Sequence, residues 1–305
     1  MPVCEQPLVQ RVLIMGLGLM GGSLALGLKR AGFAAEVRAH GHRESSLALG
    51  VANGVIDGYE LDLDTALKDV DIVVIATPTL IAEQQLLTLL KKLPKENAPV
   101  ITDVASVKGN LARAAQSACG DMPANLVLGH PIAGSEQSGV AAAKADLFNR
   151  HRVILTPFNT TDAKALALVT AMWQCCGAEV LQMSVEQHDV VLAGTSHLPH
   201  MLAYTLVDML AASTAVTDVF RFAAGGFRDF TRIASSDPVM WRDIAVANRE
   251  ALLEELDAFE GHLKRLRHAV DSADGAALID IFARAKTARD AFAKELAERS
   301  QDSTE

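Results

Sequence analysis

The sequence predicts an α/β domain built on a parallel sheet, followed by an all-α domain. In residues 1–183, short apolar runs rich in β-branched residues alternate with stretches of helical periodicity, which is the pattern of parallel strands joined by helices. From residue 184 onward the strand pattern gives way to long helical periodicity. We therefore place the domain boundary between residues 183 and 184, with a second domain over 184–305.

Composition and charge narrow the class of protein. The chain has 305 residues, enough for two hydrophobic cores. Its formal net charge of −9 and the lack of a long basic run argue against nucleic acid as a partner. No apolar run is long enough to cross a membrane, and the first residues lack the features of a signal peptide. The four cysteines form no CxxC pair, so we expect a reduced, cytoplasmic protein that acts on a small molecule.

Seven apolar runs in the first domain are predicted strands. They span residues 11–15, 36–40, 70–76, 99–104, 126–128, 152–157 and 178–181. Helices are predicted between them over residues 23–29, 80–93 and 162–176, with another after residue 109. Ligands of such sheets bind at the carboxyl ends of the strands. Thr77, Ser106 and His130 all follow predicted strand ends, so they are candidates for one shared site.

A glycine motif follows the first predicted strand. Gly16, Gly18 and Gly21 match the pattern GxGxxG between a strand and a helix. Such glycines allow a tight turn, close approach to a pyrophosphate and close packing of helix on strand. The motif predicts a Rossmann-type dinucleotide-binding domain, against the alternative of a glycine-rich turn without a ligand. The predicted cofactor contacts here and at the later strand end are Gly16, Gly18, Leu19, Met20, Gly21, Thr77 and Pro78.

The end of the second predicted strand bears on the choice of cofactor. NAD-specific sites usually carry Asp or Glu there, where it binds the ribose hydroxyls. In this chain the sequence at the strand end is His40-Gly41-His42-Arg43-Glu44, in which the acidic residue, Glu44, comes later than the usual position. Arg43, with His42, can hold a 2′-phosphate, so we favour NADP over NAD. The alternative is that Arg43 is a solvated surface residue.

Residues 129–136 place one histidine between small residues. Their sequence, Gly-His-Pro-Ile-Ala-Gly-Ser-Glu, follows the apolar run 126–128. Glycine and proline predict a loop at a strand end, and the small neighbours let a ligand approach the imidazole. We therefore expect His130 to stand where a cofactor and a substrate meet. The alternative is a structural histidine in a loop.

Three histidines fall on the first predicted helix of the second domain. On a straight helix, His188 and His197 lie about 180° apart, so His188, His197 and His200 cannot form one metal site, and we predict no metal. His197 and His200 lie about 60° apart and can share a face, with Pro199 between them able to kink the helix. At least one of this pair can face the cleft; a core or capping role is equally open for each.

Residues 225–241 gather arginines, aspartates and a tryptophan. The double glycine and Asp237-Pro238 predict that part of this segment is a loop. Arginine binds carboxylates through two parallel hydrogen bonds, and we choose Arg232 as the anchor of an anionic substrate. The alternative is an ion pair of Arg232 with Asp229 or Asp237.

Apolar residues spaced by four and three follow this segment. They are Leu252, Leu256, Phe259, Leu263, Leu266 and Val270. The spacing is typical of a heptad seam, and a last helix after residue 275 also has an apolar face. In so thin a domain such seams pack on a second subunit, so we predict a homodimer.

With these motifs in view, the chain resembles the prephenate/arogenate dehydrogenases of tyrosine biosynthesis over nearly its whole length. The resemblance rests on residues 16–23, 103–109, 129–136, 188–189, 196–200 and 229–241. It implies an NAD(P)-dependent enzyme that oxidatively decarboxylates prephenate or arogenate, and a helical domain that forms the dimer. We expect a monofunctional enzyme without an appended mutase or regulatory domain.

The resemblance also implies roles for single residues. His130 is expected to contact the ring hydroxyl of the substrate, Arg232 to hold a substrate carboxylate, and Ser106 to assist near the hydroxyl. Further substrate contacts are expected at His200, Ser135, Glu136, Arg228 and Trp241.

Two other functions fit part of the sequence. Dehydrogenases of the β-hydroxyacid type also join a Rossmann domain to helices, but they depend on a catalytic lysine in the helical domain that is not obvious here. A non-catalytic dinucleotide sensor would keep the glycine motif without needing His130 and Arg232 together.

Overall fold

A computed structural model describes residues 6–94, 96–134, 137–212 and 219–302 of the protein. Two predicted site residues, Ser135 and Glu136, lie outside this description. An eight-stranded sheet organises the first part of the chain. Its strands are β1 (Val9–Met15), β2 (Ala34–His40), β3 (Gly58–Glu60), β4 (Ile72–Ile75), β5 (Val100–Asp103), β6 (Leu126–Pro131), β7 (Arg152–Thr156) and β8 (Glu179–Gln182).

The strand order is β3-β2-β1-β4-β5-β6-β7-β8. Strands β1 to β6 run parallel, which confirms the predicted parallel sheet of a Rossmann-type domain. Strand β7 pairs with β6 in the antiparallel direction, and β8 then follows β7 in parallel. The last two predicted strands therefore complete the sheet but run against the other six, a reversal that alternating strands and helices do not reveal.

Helices cover both faces of the sheet. They are α1 (Leu19–Ala31), α2 (Glu44–Ala52), α3 (Leu63–Ala66), α4 (Thr79–Lys92), α5 (Gly109–Cys119) and α6 (Ala163–Cys175). Successive residues of a strand face opposite sides. Val12 and Ile14 of β1 accordingly pack in a cluster with α1 and α6, whereas Leu13 and Met15 pack in a second cluster with α4 and α5.

The described residues after β8 are mainly helical, as predicted. The helices are α7 (Val185–Leu192), α8 (Leu198–Ala211), α9 (Gly225–Thr231), α10 (Pro238–Ala247), α11 (Arg249–Asp271) and α12 (Gly275–Asp302). A π-helical turn, Ala193–His197, joins α7 to α8. The prediction that residues 225–241 are partly a loop is largely wrong, because α9, a 3-10 turn (Arg232–Ser235) and α10 follow one another closely. The double glycine begins α9, and Asp237 caps α10 with its side chain.

The chain divides into two compact units, residues 1–252 and 253–305. In the first unit, Trp241 and Ile244 of α10 pack on Val107 beside α5, so the contacts between the sheet layer and the helices extend beyond residue 183. The predicted functional boundary at 183/184 is a different division and stays a prediction. Within the described residues, no helix combines the length and the apolar character needed to cross a membrane.

Candidate active site

The glycine motif forms the turn between β1 and α1. Gly16 has φ of 101°, and a Cβ there would lie 2.6 Å from Cγ2 of Thr77. A Cβ on Gly21 would lie 2.3 Å from the carbonyl oxygen of Gly16, so only glycine lets α1 approach the turn this closely. At Gly18, the N-cap of α1, an added Cβ would meet nothing within 4 Å. A helix N-terminus facing open space fits the pyrophosphate of a dinucleotide.

Basic side chains stand at the carboxyl end of β2. His40, the last residue of β2, is buried, and its Nδ1 lies 3.0 Å from a backbone carbonyl oxygen of β3. His42 and Arg43 follow it and are exposed, and Arg43 is the N-cap of α2. Glu44, the late acid, accepts a hydrogen bond from Oη of Tyr59 at 3.2 Å. The carboxylate therefore already has a donor within the protein.

His130 begins a chain of three buried polar side chains. It lies within β6, not in the predicted loop, because residues 128–131 pair with β7. Nδ1 of His130 lies 2.9 Å from Nε2 of His188, and Nδ1 of His188 lies 2.7 Å from Oδ1 of Asp189. All three residues are buried. We call them the His-His-Asp chain; it links the end of β6 to α7.

Asp189 is held by the first residues of α5. Its Oδ1 accepts the backbone N–H of Lys108 at 3.0 Å, and its Oδ2 accepts that of Gly109 at 2.7 Å. A Cβ on Gly109 would lie 2.6 Å from Oδ2 of Asp189, so glycine is what admits the carboxylate. Burial raises the pKa of Asp189, but the hydrogen bonds from His188 and from the two backbone N–H groups outweigh it and lower the pKa below its ordinary value.

A buried ion pair fixes the residue before His130. The Lys108 side chain is fully buried, and its Nζ contacts Oδ2 of Asp103 and donates to the carbonyl oxygen of Gly129 at 2.6 Å. Oδ1 of Asp103 accepts the N–H of Gly129 at 3.1 Å. Burial lowers the pKa of Lys108 while Asp103 opposes that shift. Both backbone polar groups of Gly129 are thereby bonded, which restrains the backbone that carries His130.

The buried histidines are neutral near pH 7. Burial lowers the pKa of His130 well below its ordinary value, and charge on His188 or Lys108 would lower it further. Burial likewise lowers the pKa of His188, against the opposing effect of Asp189. Burial brings the pKa of His197 to about 4. Each ring can therefore donate a hydrogen bond from one nitrogen and accept one at the other.

The π-turn overturns the geometry predicted for the three histidines. A straight helix would place His188 and His197 on opposite faces, but the turn Ala193–His197 shifts the phase of the helix. Both residues are buried. Asn248 contacts the segments on both sides of the turn: its Nδ2 donates to the backbone oxygen of Asp189 at 2.8 Å and lies 3.0 Å from Nδ1 of His197. In the described parts of the chain, no group of three His, Cys, Asp or Glu side chains could hold a metal ion.

His200 and Trp241 form a stacked pair beside this cluster. Their ring centroids are 3.5 Å apart with an interplanar angle of 20°, and the edge of His197 meets Trp241 at 6.1 Å. Nδ1 of His200 donates to the carbonyl oxygen of Ser196 at 2.8 Å. Burial lowers the pKa of His200, and the charge of Arg232 lowers it further. Arg232 is therefore within electrostatic reach of the stacked pair.

The two carboxylates considered as partners of Arg232 have other contacts. Asp229 pairs with Arg228 at 3.2 Å, and both side chains are largely exposed. Oδ1 of Asp237 accepts two backbone N–H groups in the first turn of α10. Arg232 itself is exposed, at the start of the 3-10 turn after α9.

Two protein-family models match the chain. Prephenate dehydrogenase, nucleotide-binding domain, matches residues 24–182, and prephenate dehydrogenase, dimerization domain, matches residues 184–284. The chain belongs to the prephenate dehydrogenase family. The predicted resemblance is thereby confirmed, and with it the class of NAD(P)-dependent oxidoreductase and the order of a Rossmann-type domain followed by helices.

Curated relatives from this family cover most of the chain. Cyclohexadienyl dehydrogenase of Zymomonas mobilis is 36% identical over 289 residues, which are 92% of this chain and 95% of that protein. Prephenate dehydrogenase of Bacillus subtilis is 37% identical over 285 residues, which are 92% of this chain and 75% of that protein.

Solved structures of the family have the same fold. Prephenate dehydrogenase from A. aeolicus, in complex with hydroxyphenyl propionate and NAD+, has a TM-score of 0.86 at 36% identity, covering 93% of this chain and 98% of that one. Arogenate dehydrogenase from Synechocystis has a TM-score of 0.77 at 27% identity, covering 93% of this chain and 100% of that one.

Membership of the prephenate dehydrogenase family leaves the roles of single residues as predictions. The structure gives the positions of those that it describes. Thr77 lies against Gly16 and donates to Oε1 of Gln85 at 2.8 Å. Pro78 is the N-cap of α4. Ser106 is half-buried in the connection between β5 and α5, the same connection that leads to the backbone groups bound by Asp189.

Sequence reasoning assigned no role at the site to five residues around His130, although all but the last belong to segments that carry the family resemblance. These are Asp103, Lys108, His188, Asp189 and Asn248. The available signal was the adjacent pair His188-Asp189 near the start of a helix, since a neighbouring carboxylate is a common partner of a functional imidazole. Lys108 gave none, because a lysine is almost never fully buried unless it is paired.

Proposed function

We propose that the chain oxidatively decarboxylates prephenate to 4-hydroxyphenylpyruvate, with a nicotinamide dinucleotide as the oxidant. The observation that carries this proposal is the neutral imidazole of His130, held at the end of β6 in a chain of the prephenate dehydrogenase family. Prephenate is a cyclohexadiene with a hydroxyl at C4 and a carboxylate on the carbon that bears its pyruvyl group. Loss of hydride from C4 and of the hydroxyl proton gives a ketone at C4. As CO2 then leaves, the ring becomes aromatic and the C4 oxygen takes a proton back, which gives the phenol.

His130 is the proposed acceptor of the hydroxyl proton. A carbonyl develops at C4 as hydride leaves. A base within hydrogen-bond reach of the C4 hydroxyl raises the rate by a factor of about 10²–10⁴. A neutral imidazole suits that task because it holds a lone pair at neutral pH. Ser106, in the half-buried connection after β5, is the proposed second group near the hydroxyl.

Arg232 is the proposed anchor of a substrate carboxylate. Its guanidinium can form two parallel hydrogen bonds to a carboxylate, and such contacts orient the ring carbon toward the nicotinamide. His200 stacks on the buried Trp241, and both residues are further proposed substrate contacts. Arg228, Ser135 and Glu136 are the further proposed contacts.

The glycine turn after β1 is the proposed cofactor cradle. When bound, a nicotinamide dinucleotide accepts the hydride. Gly16, Gly18 and Gly21 supply the turn and the open helix end for its pyrophosphate. We propose NADP as the preferred cofactor, because the exposed His42 and Arg43 can meet a 2′-phosphate while Glu44 is bonded to Tyr59.

A homodimer is the proposed assembly. In residues 253–305, apolar side chains of the predicted seams are exposed: Leu263 by 50%, Val270 by 62% and Phe282 by 57%. Apolar surface of this kind is typical of an interface, and the match to a dimerization domain supports that use. We also propose a cytoplasmic location, from the cysteine pattern.

Arogenate is the second candidate substrate. It differs from prephenate by an amino group in place of the keto group of the side chain, and the chain is similar to an arogenate dehydrogenase and to a cyclohexadienyl dehydrogenase. The chemistry at C4 is the same for both compounds.

A two-by-two assay tests these proposals: prephenate or arogenate, each with NAD or NADP, followed by the absorbance of the reduced nicotinamide. We expect turnover of prephenate and a higher kcat/KM with NADP. A strong preference for NAD would contradict the cofactor proposal alone. No turnover in any combination, by folded protein that binds a dinucleotide, would instead favour a hydroxyacid substrate or a non-catalytic sensor.

A further inference from the structure

The His-His-Asp chain has a fixed direction of hydrogen bonding. A carboxylate only accepts hydrogen bonds, so His188 keeps a proton on Nδ1 and donates it in a hydrogen bond to Oδ1 of Asp189, 2.7 Å away. The lone pair of the neutral His188 ring is then at Nε2, and it accepts from Nδ1 of His130 at 2.9 Å. Because the His130 proton is on Nδ1, the lone pair of His130 is at Nε2.

We propose that His188 and Asp189 are positioning residues that hold His130 in the tautomer whose Nε2 accepts the hydroxyl proton of the substrate. The inference rests on the proposed function of His130 and assigns roles to two residues that act through it. The logic is that of a buried carboxylate orienting a catalytic imidazole, with a second imidazole inserted between them.

Asp189, the last residue of the His-His-Asp chain, is fixed in position by hydrogen bonds from backbone N–H groups. The N–H groups of Lys108 and Gly109 donate to its two oxygens at 3.0 and 2.7 Å. They belong to the start of α5, whose partial positive charge favours a carboxylate. The same connection carries Ser106, so one short segment places the proposed second group and the carboxylate that orients the first.

Asp189 is the charge that favours protonation of His130 during the reaction, acting through His188. Burial of His130 and the nearby Lys108 oppose it. The buried Lys108 and Asp103 offset each other as a pair, and His188 and His197 are neutral, so Asp189 supplies the net negative charge. The substrate O–H bond breaks and its proton bonds to Nε2 of His130. The hydride passes to the nicotinamide, which leaves a ketone at C4. The imidazolium of His130 is stabilised by its Nδ1–H bond to His188 and, beyond it, by Asp189. When the ring carboxylate leaves as CO2, the ring becomes aromatic and the C4 oxygen takes a proton back.

The test compares His188→Leu and His188→Gln with the wild-type enzyme. Leucine removes both hydrogen bonds, and we expect kcat to fall at least about tenfold while KM for prephenate stays within about twofold. The acid limb of the kcat/KM profile should move to lower pH, since His130 loses the partner that favours its protonated form. Glutamine can offer an oxygen to Nδ1 of His130, so its effects should be intermediate.

Gly109→Ala is a second variant that keeps every side chain of the His-His-Asp chain. Its Cβ would lie 2.6 Å from Oδ2 of Asp189, so the carboxylate must shift. We expect the same movement of the acid limb, with a smaller loss of kcat. The tautomer itself is read by ¹⁵N NMR of histidine-labelled protein: wild-type His130 should be protonated at Nδ1, and His188→Leu should lose that preference.

The outcomes separate this inference from the proposed function. Folded His188→Leu and Gly109→Ala enzymes with wild-type kcat and pH profile would overturn it, as would wild-type His130 protonated at Nε2. A uniform loss of activity with an unmoved acid limb would mean that His188 is only structural, which also overturns it. A wild-type protein without turnover contradicts the proposed function, and the NMR measurement still decides the tautomer.

Discussion

The histidine cluster and the arginine segment are held by the chain in different ways. The histidine cluster is His130, His188 and His197, which are 8%, 0% and 1% exposed and are bonded to one another, to Asp189 or to Asn248. The arginine segment is residues 225–235, a short helix and a 3-10 turn in which the Arg228 side chain is 79% exposed.

The difference fits a division of tasks. Proton transfer needs a lone pair at one fixed position. The buried hydrogen-bond network holds the lone pair of His130 at Nε2 before the substrate binds. Binding a carboxylate needs charge and a planar fork at the rim of a site, where an exposed guanidinium can close on its ligand. We therefore expect substitutions in the cluster to change kcat and pH dependence, and substitutions in the segment to change KM.

His130→Asn should give the largest effect and test the first half of this comparison. We expect kcat to fall by about 10²–10⁴ because the base is lost, while KM for prephenate changes little. Steady-state kinetics measure both quantities, and dinucleotide binding by fluorescence should stay at the wild-type level. A variant with near wild-type kcat would show that another group takes the proton.

The pH dependence of stability should also follow the cluster. The pKa of His197 is lowered to about 4 by burial, whereas in the unfolded chain it lies near 6.5. The unfolded state therefore binds the proton first, so the His197 contribution to the free energy of unfolding is complete above pH 6.5 and is lost as the pH falls toward 4. Between pH 8 and 5 this loss is about 2 kcal/mol.

His197→Gln checks this expectation by urea unfolding at pH 8 and at pH 5. Glutamine keeps an acceptor for Asn248 but does not titrate, so the stability difference between the two pH values should shrink by about 2 kcal/mol. The exposed His151 is the matched control, and its replacement should leave the difference unchanged. Equal pH dependence in wild type and His197→Gln would contradict a buried neutral His197.

The sequence predicts the sheet well because its signal is local. Apolar runs at the edges of helical stretches mark strands wherever the sheet is buried on both faces. Strand β3 is only three residues long, which is too short for that signal. The direction of β7 depends on its pairing with β6, a contact between distant residues that no local pattern encodes.

The site is harder to predict because its geometry depends on departures from regular helix periodicity and from the usual exposure of charged side chains. Periodicity assumes 3.6 residues per turn, and the π-turn Ala193–His197 breaks that assumption and turns both His188 and His197 inward. A charged residue such as Lys108 is expected at the surface, and only the fold shows that Asp103 and a backbone oxygen enclose it. His130 could be identified from its motif, and His188-Asp189 offered a signal as an adjacent pair, but the contacts that join the three residues could not be predicted.

Arg232→Ala tests the second half of the comparison. We expect KM for prephenate to rise at least about tenfold, since hydrogen bonds between charged groups contribute about 1.5–3 kcal/mol, with kcat and its pH dependence close to wild type. Arg232→Lys keeps the charge without the planar fork, so its KM for prephenate should lie between those of wild type and Arg232→Ala. Arg228→Ala is the comparison within the segment: Arg228 pairs with Asp229 in solvent, so its loss should raise KM less. If Arg232→Ala lowered kcat with KM unchanged, the segment would share the task of the histidine cluster, and the division between fixed chemistry and adaptable binding would not hold.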